Sequence, residues 1–183
     1  LSALDALKAD DMAYFSGITV AILSPEDRET LLATLNRLRE RGVRVAFDTN
    51  LRPRLWSDDA EMRDWIMRAA GVADIALPSY DDEAVHFGDA AAAATAARYA
   101  EAGVGLVVVK GGPADVLILQ DGQESRVTPD PVAEIVDTTA AGDSFNAGVF
   151  SALSRGAEPA EAARVGCQVS GRVIGARGAL VEI

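Results

Sequence analysis

The sequence predicts an α/β fold: a mainly parallel sheet with helices on both faces and an antiparallel hairpin at one edge. Three observations predict it. Strand-like and helix-like segments alternate through the first two thirds of the chain, the pattern of a parallel sheet covered by helices. The run "GLVVVK", residues 105–110, has almost no polar alternation, as expected of a strand buried on both faces. Finally, "DVLILQ" and "ESRVTP" flank Asp121-Gly122, a dipeptide suited to a two-residue hairpin turn.

Each element has a local reason. "MAYFS", residues 12–16, reads as a short strand closed by Gly17. Ser24 and Pro25 form a helix start, with Ser as N-cap and Pro at the first position. Leu31, Leu32, Leu35 and Leu38 carry the helical period, and Gly42 supplies the stop. "VRVAFD", residues 43–48, is the next strand. A helix starting near Ser57-Asp58-Asp59 carries Met62, Trp65, Ile66 and Ala69 inward. "VADIALP", residues 72–78, is a strand stopped by proline, and residues 79–87 form a short helix. Asp89 is expected to cap an alanine-rich helix that ends at Gly103; alanine is the best helix former, so this low-complexity run is scaffold. Helices over about 141–155 and 158–175 close the chain.

The bulk properties narrow the function. A chain of 183 residues suffices for a core, and 49% apolar content argues for a globular protein. The net charge of −11 disfavours nucleic acid as a partner, while a local cradle of amides still permits nucleotides. No apolar run has the length of a membrane span, and "LSALDALKADD" lacks the charge and hydropathy pattern of a signal peptide. The single cysteine, Cys167, cannot form an internal disulfide, which fits a reducing cytoplasmic location. The chain opens on Leu rather than Met, in the middle of the alternation. We therefore expect residues 1–183 to be the C-terminal portion of one domain, with upstream strands and a lid absent. Such a portion is expected to be inactive alone and, through an exposed apolar edge, open to self-association as a homo-oligomer.

"VDTTAAGDSFNAGVF", residues 136–150, carries the chemistry. Small residues let main-chain N–H groups approach an anion, and a helix N-terminus adds a favourable dipole. The amides of Ala140, Ala141, Gly142 and Asp143 would form the anion hole, with the Asp143 carboxylate as the adjoining base. The plain alternative is a helix start with Thr as N-cap and Asp in the first turn. The small residues continuing through Ala147 and Gly148 favour the anion site.

"DTTAAGDSFNAG" resembles the C-terminal signature of the ribokinase-like (PfkB) carbohydrate kinases, and the order of the remaining loops extends the resemblance along the chain. "FDTNLRPRLW" and "SGITVAI" are more similar to 2-keto-3-deoxygluconate kinases than to ribokinases or adenosine kinases. The resemblance implies ATP-dependent phosphorylation of a sugar or sugar acid, with Mg²⁺ bridging the phosphates and Asp143 as catalytic base. It makes Arg52 a phosphate or substrate contact, with Asp48 and Asn50 shaping the pocket; a guanidinium fork suits an oxyanion. The alternative is a surface arginine after a turn held by Asn50.

"PSYDDE", residues 78–83, stands where the family usually has Asn-x-x-Glu near Mg²⁺. Here Ser79 and Asp82 replace those two residues, leaving water-mediated metal contact through Asp82 or Glu83. A simple capping box from Ser79 to Asp82 explains the same residues. "KGGPAD", residues 110–115, matches the family's Lys-x-Gly-x-x-Gly nucleotide loop at Lys110 and Gly112, with Asp115 in the last glycine's place. An Asp there would tolerate a left-handed backbone. Cys167 lies on the last helix, which skirts the adenine pocket in the family; a small buried thiol is the default reading. His86, Trp56 and Trp65 read as packing residues.

Other classes lack support. There is no G-x-x-x-x-G-K-[ST] for a P-loop and no dinucleotide G-x-G-x-x-G. Gly142-Asp-Ser144 lacks the closing glycine of a nucleophile elbow, and one histidine is poor material for a hydrolase triad. The competing readings are a fructokinase or ribokinase of the same family, and a binding remnant without turnover.

Overall fold

The computed structural model describes residues 4–182. It is an α/β fold whose six strands run in the order β1-β2-β3-β4-β5-β6. These are β1 (Met12–Ser16), β2 (Arg44–Asp48), β3 (Ile75–Ala76), β4 (Leu106–Val109), β5 (Val116–Gln120) and β6 (Gln123–Val127). The helices are α1 (Gly17–Ala21), α2 (Pro25–Glu40), α3 (Asp59–Ala70), α4 (Tyr80–Phe87), α5 (Ala92–Glu101), α6 (Ala141–Leu153) and α7 (Pro159–Ile174). Among the described residues no helix is long and apolar enough to cross a membrane. The chain divides into two compact units: residues 1–109 with 119–123, and residues 110–118 with 124–183.

In the first unit, β1 to β4 pair parallel, β1 meeting β2 from Met12 opposite Arg44 to Ser16 opposite Asp48. All four residues of β4 are buried, as its lack of polar alternation predicts. On β1, Ala13 and Phe15 face inward, and Phe15 stacks on Phe47 of β2 with ring centroids 4.7 Å apart. Ser24 caps α2, accepting from Asp27 N–H at 3.2 Å, and Leu31, Leu32, Leu35 and Leu38 are all buried.

Three local expectations are corrected. Gly17 does not merely close β1; it opens α1, a helix of five residues, where Ser16 and Thr19 form a reciprocal capping box. A Cβ on Gly17 would lie 2.0 Å from the Thr49 carbonyl oxygen, so glycine is needed for this approach. The third strand is two residues long rather than seven. The Asp74 carboxylate takes the Val45 N–H at 2.8 Å in place of a main-chain acceptor, and Pro78 has no N–H to donate. Asp89 does not cap α5; Ala91 stands at that position, without a side-chain bond. Asp89 instead accepts from Thr95 Oγ1 at 2.8 Å and Arg98 Nη2 at 2.5 Å, because a nearby guanidinium outcompetes an amide for a carboxylate.

Asp121 and Gly122 turn β5 into β6 with φ of +50° and +76°, both left-handed, as a two-residue hairpin turn requires. In the second unit, α6 and α7 pack closely. A Cβ on Gly148 would come within 2.8 Å of Gly166 Cα, and one on Gly166 within 2.9 Å of the Phe145 ring and carbonyl. Gly166→Ala is therefore expected to overpack this crossing and reduce stability by about 1–3 kcal/mol. Urea denaturation checks it: an unchanged midpoint would show that the helices separate freely.

Candidate active site

The second unit contains the stretch that the sequence singles out. The N-cap of α6 is Ala140, in the left-handed region at φ +62° and ψ 14°, with no side-chain cap. A threonine N-cap is thus excluded. A non-glycine residue in this conformation costs about 1–2 kcal/mol, and such strain persists where surrounding structure imposes it. The turn leaves three amides without a main-chain acceptor among the described residues, those of Ala140, Gly142 and Asp143. The expected set of four loses Ala141, whose N–H donates to Thr138 O at 3.1 Å. Asp143 is exposed in the first turn of α6.

Other groups hold this turn. Asp137 accepts from Thr139 N–H at 2.9 Å and from Gly178 N–H at 3.0 Å. The Thr139 side chain foremost, and then these two amides, hold its carboxyl below the ordinary value. Ser170 of α7 donates to Ala141 O at 3.0 Å, tying the two helices together at the turn. Sequence reasoning missed both clamps. Asp137, two residues before the N–H it receives, was visible as a turn-forming Asx residue; Ser170 carried no local signal.

Lys110, an expected nucleotide contact, reaches the same turn. Its ammonium donates to the buried Asn146 Oδ1 at 3.4 Å and would lie 3.8 Å from a Cβ on Gly142. The positive helix end and the lysine charge thus converge beside Asp143. In the loop after Lys110, Gly112 is left-handed at φ +61° and exposed. Asp115 does not take the left-handed conformation expected of it; it accepts from Thr128 Oγ1 at 2.7 Å instead. Gly111 proves sterically necessary, since its Cβ would meet Asp115 O at 2.4 Å.

Cys167 lines a cavity of about 460 Å³ with Gln168, Gly171 and Arg172 of α7 and residues 130–133. It is half-buried, and burial pushes its thiol above the ordinary value, with Asp130 adding to the shift.

The first unit holds the other expected residues. Asp48 ends β2, buried, with Tyr14 Oη donating to it at 3.4 Å. Asn50 follows in the left-handed region at φ +32°. Arg52 is exposed, its Nη1 donating to Leu51 O at 2.7 Å. Ser79 is the N-cap of α4 but makes no side-chain cap bond, so the capping-box explanation of Ser79 and Asp82 does not hold. Asp82 is half-buried, whereas Glu83 is fully buried and receives Arg98 Nη2 at 2.8 Å and Tyr99 Oη at 3.0 Å. Burial pushes the Glu83 carboxyl up despite the arginine. Its two oxygens are engaged by Arg98 and Tyr99, which leaves Asp82 the more accessible of the two acids. Among the described residues no group of three or more His, Cys, Asp or Glu side chains is arranged to hold a metal ion.

The comparisons with known proteins agree with this architecture. The chain is 39% identical over 174 residues to 2-dehydro-3-deoxygluconokinase of Escherichia coli K12, covering 93% of this chain and 56% of that protein. It is 35% identical over 178 residues to the Haemophilus influenzae protein of the same name, covering 96% of this chain and 57% of the relative. It therefore spans just over half the length of these curated relatives. Among solved structures, it matches aminoimidazole riboside kinase from Salmonella enterica, complexed with aminoimidazole riboside and an ATP analogue. That match has a TM-score of 0.81 and 29% identity, over 94% of this chain and 59% of the other. The model of the pfkB family of carbohydrate kinases matches residues 2–182, and the chain belongs to that family.

Proposed function

We propose that the chain carries the phosphoryl-transfer centre of an ATP-dependent sugar-acid kinase, with 2-keto-3-deoxygluconate as substrate and Asp143 as general base. One observation carries the reading: an exposed carboxylate on a helix start whose strained turn leaves amides open, with the Lys110 ammonium beside it. Phosphoryl transfer needs positioning and charge neutralisation more than covalent help from the protein. Asp143 takes the proton of a sugar-acid hydroxyl as its oxygen bonds to the γ-phosphorus. The bond from γ-phosphorus to the bridging oxygen breaks, and ADP leaves with that electron pair. The N–H groups of Gly142 and Asp143, with Lys110, receive the developing negative charge.

The Cys167 cavity, on the same unit, is assigned to the nucleotide base, with Lys110 and Gly112 as further nucleotide contacts. Asp115, tied to Thr128, is left supporting that loop. Mg²⁺ is assigned to the nucleotide phosphates, since the described residues offer no cage for it; Asp82 remains as a contact through water. The similarity to 2-dehydro-3-deoxygluconokinases supports the sugar acid, whose carboxylate suits the Arg52 fork.

The test is ADP release with 2-keto-3-deoxygluconate, fructose and ribose in parallel, for the wild type and for Arg52→Ala and Arg52→Lys. The sugar acid should be preferred, and lysine should rescue little, because it keeps the charge but loses the planar fork. Preference for fructose or ribose would reassign the substrate within the family. ATP binding without release on any sugar, by a chain extended to the length of the curated relatives, would select a binding remnant. Full activity of Arg52→Lys would reduce Arg52 to a diffuse charge.

A further inference from the structure

The segment carrying Arg52 combines a tight turn with exposure. Asn50 turns the chain in the left-handed region at φ +32°, which asparagine tolerates better than most residues. Residues 52–55 are exposed, yet the flanking residues are buried: Thr49 at 1%, Leu51 at 3% and Trp56 at 8% exposure. The loop is thus anchored at both ends, with an exposed middle closed on itself by Leu55 N–H donating to Arg52 O at 2.9 Å and Trp56 N–H donating to Pro53 O at 3.1 Å.

The anchors meet on one small element. At the N-terminal end, Gly17 of α1 approaches the Thr49 carbonyl so closely that a Cβ would sit 2.0 Å from it. At the other end of α1, the buried Arg28 donates to Val20 O from Nε at 2.9 Å and to Ala21 O from Nη2 at 3.1 Å. The same guanidinium lies 4.7 Å from the ring centroid of Trp56 and 5.2 Å from that of Trp65. Its remaining nitrogen donates to Glu61 at 2.6 Å, and Glu61 accepts from the N–H and hydroxyl of Ser57, directly after the loop. The chain of contacts therefore runs from Thr49 through α1 to Arg28 and returns through Trp56 and Glu61 to the end of the loop.

We infer that α1 and Arg28 form a brace that sets the position of the 49–56 loop, which makes Gly17, Arg28 and Trp56 positioning residues for Arg52. The consequence for turnover rests on the reading of Arg52 as a substrate contact; the brace itself does not. Lysine cannot replace Arg28, because a point charge cannot serve two carbonyls and a carboxylate while stacking on two indoles.

The experiment joins steady-state kinetics on the kinase with hydrogen exchange of the peptide spanning residues 49–56. Arg28→Lys and Trp56→Leu should each accelerate exchange in that peptide at least about tenfold, leaving peptides of α6 as in the wild type. Misplacement of Arg52 should lower kcat/KM for the sugar acid by about 10- to 100-fold, with the ATP KM within about twofold of wild type. Unaltered exchange in the folded variants overturns the brace; should Arg28→Lys fail to fold, Trp56→Leu decides. Arg52→Ala separates the two ideas. If it leaves the sugar-acid kinetics unchanged while Arg28→Lys loosens the loop, the brace stands and the role of Arg52 falls. If it impairs them while Arg28→Lys changes neither readout, Arg52 stands and the brace falls.

Discussion

Asp143→Asn is expected to lower turnover of the kinase by about 10²- to 10⁴-fold, the usual range for loss of a general base. ATP affinity should stay within a few fold. The amide side chain keeps the size of the carboxylate but cannot take the hydroxyl proton. The proposed nucleotide contacts belong to other groups: the Gly142 and Asp143 N–H groups are main chain, and Lys110 keeps its bond to Asn146. The measurement is single-turnover ADP formation beside equilibrium nucleotide binding. A variant retaining more than about a tenth of wild-type turnover would remove Asp143 from the proton transfer. A parallel collapse of ATP affinity would instead mean that the carboxylate supports the cradle.

The second large effect concerns stability. Glu83→Ala is expected to cost about 3–5 kcal/mol, the range found when one partner of a buried ion pair is removed. It strips the Tyr99 hydroxyl, on a fully buried residue, of its acceptor and takes one of two carboxylates from Arg98. Arg98 keeps Asp89 and its stacking on Phe87, 3.8 Å away, which favours the lower end of that range. Burial raises the Glu83 carboxyl above its ordinary value of 4.5, so the folded protein binds that proton more tightly than the unfolded chain. The sign follows: this group's contribution is intact below pH 4.5 and declines as pH rises through the raised folded value. Urea unfolding of the wild type against Glu83→Gln should show the wild type losing ground over that window. A constant difference between the two would mean that Glu83 ionises as it does in the unfolded chain.

Glu83 also shows how far composition and spacing reach. In "PSYDDE" it is one of three consecutive acidic residues, and nothing local separates it from Asp81 or Asp82. The fold turns Glu83 inward toward Arg98 and Tyr99 on the next helix, partners 15 and 16 residues away, and leaves Asp81 exposed. Thr49 is a similar case: its buried hydroxyl has no hydrogen-bond partner among the described residues, although it is near enough to Glu83 to act on the carboxyl. The Asp89 cap failed for the same reason. Capping statistics weigh an acid against nearby amides, whereas the folded chain offered it Arg98.

The sequence by itself determined the strand and helix alternation, the buried β4, the Asp121-Gly122 hairpin, the capped start of α2 and the start of α6 at Ala141. Each depends on periodicity or on backbone preferences within a few residues, which are written locally. Only the tertiary structure decided that Ala140 is left-handed, that Ala141 spends its amide on Thr138, that Lys110 lies over the α6 start, and that Arg28 closes a brace behind the Arg52 loop. Those outcomes depend on groups up to tens of residues apart, such as Arg28 with Glu61 and Asp137 with Gly178. Their pairing is set by which buried donors and acceptors the fold brings within hydrogen-bonding distance, a quantity that no short window of sequence contains.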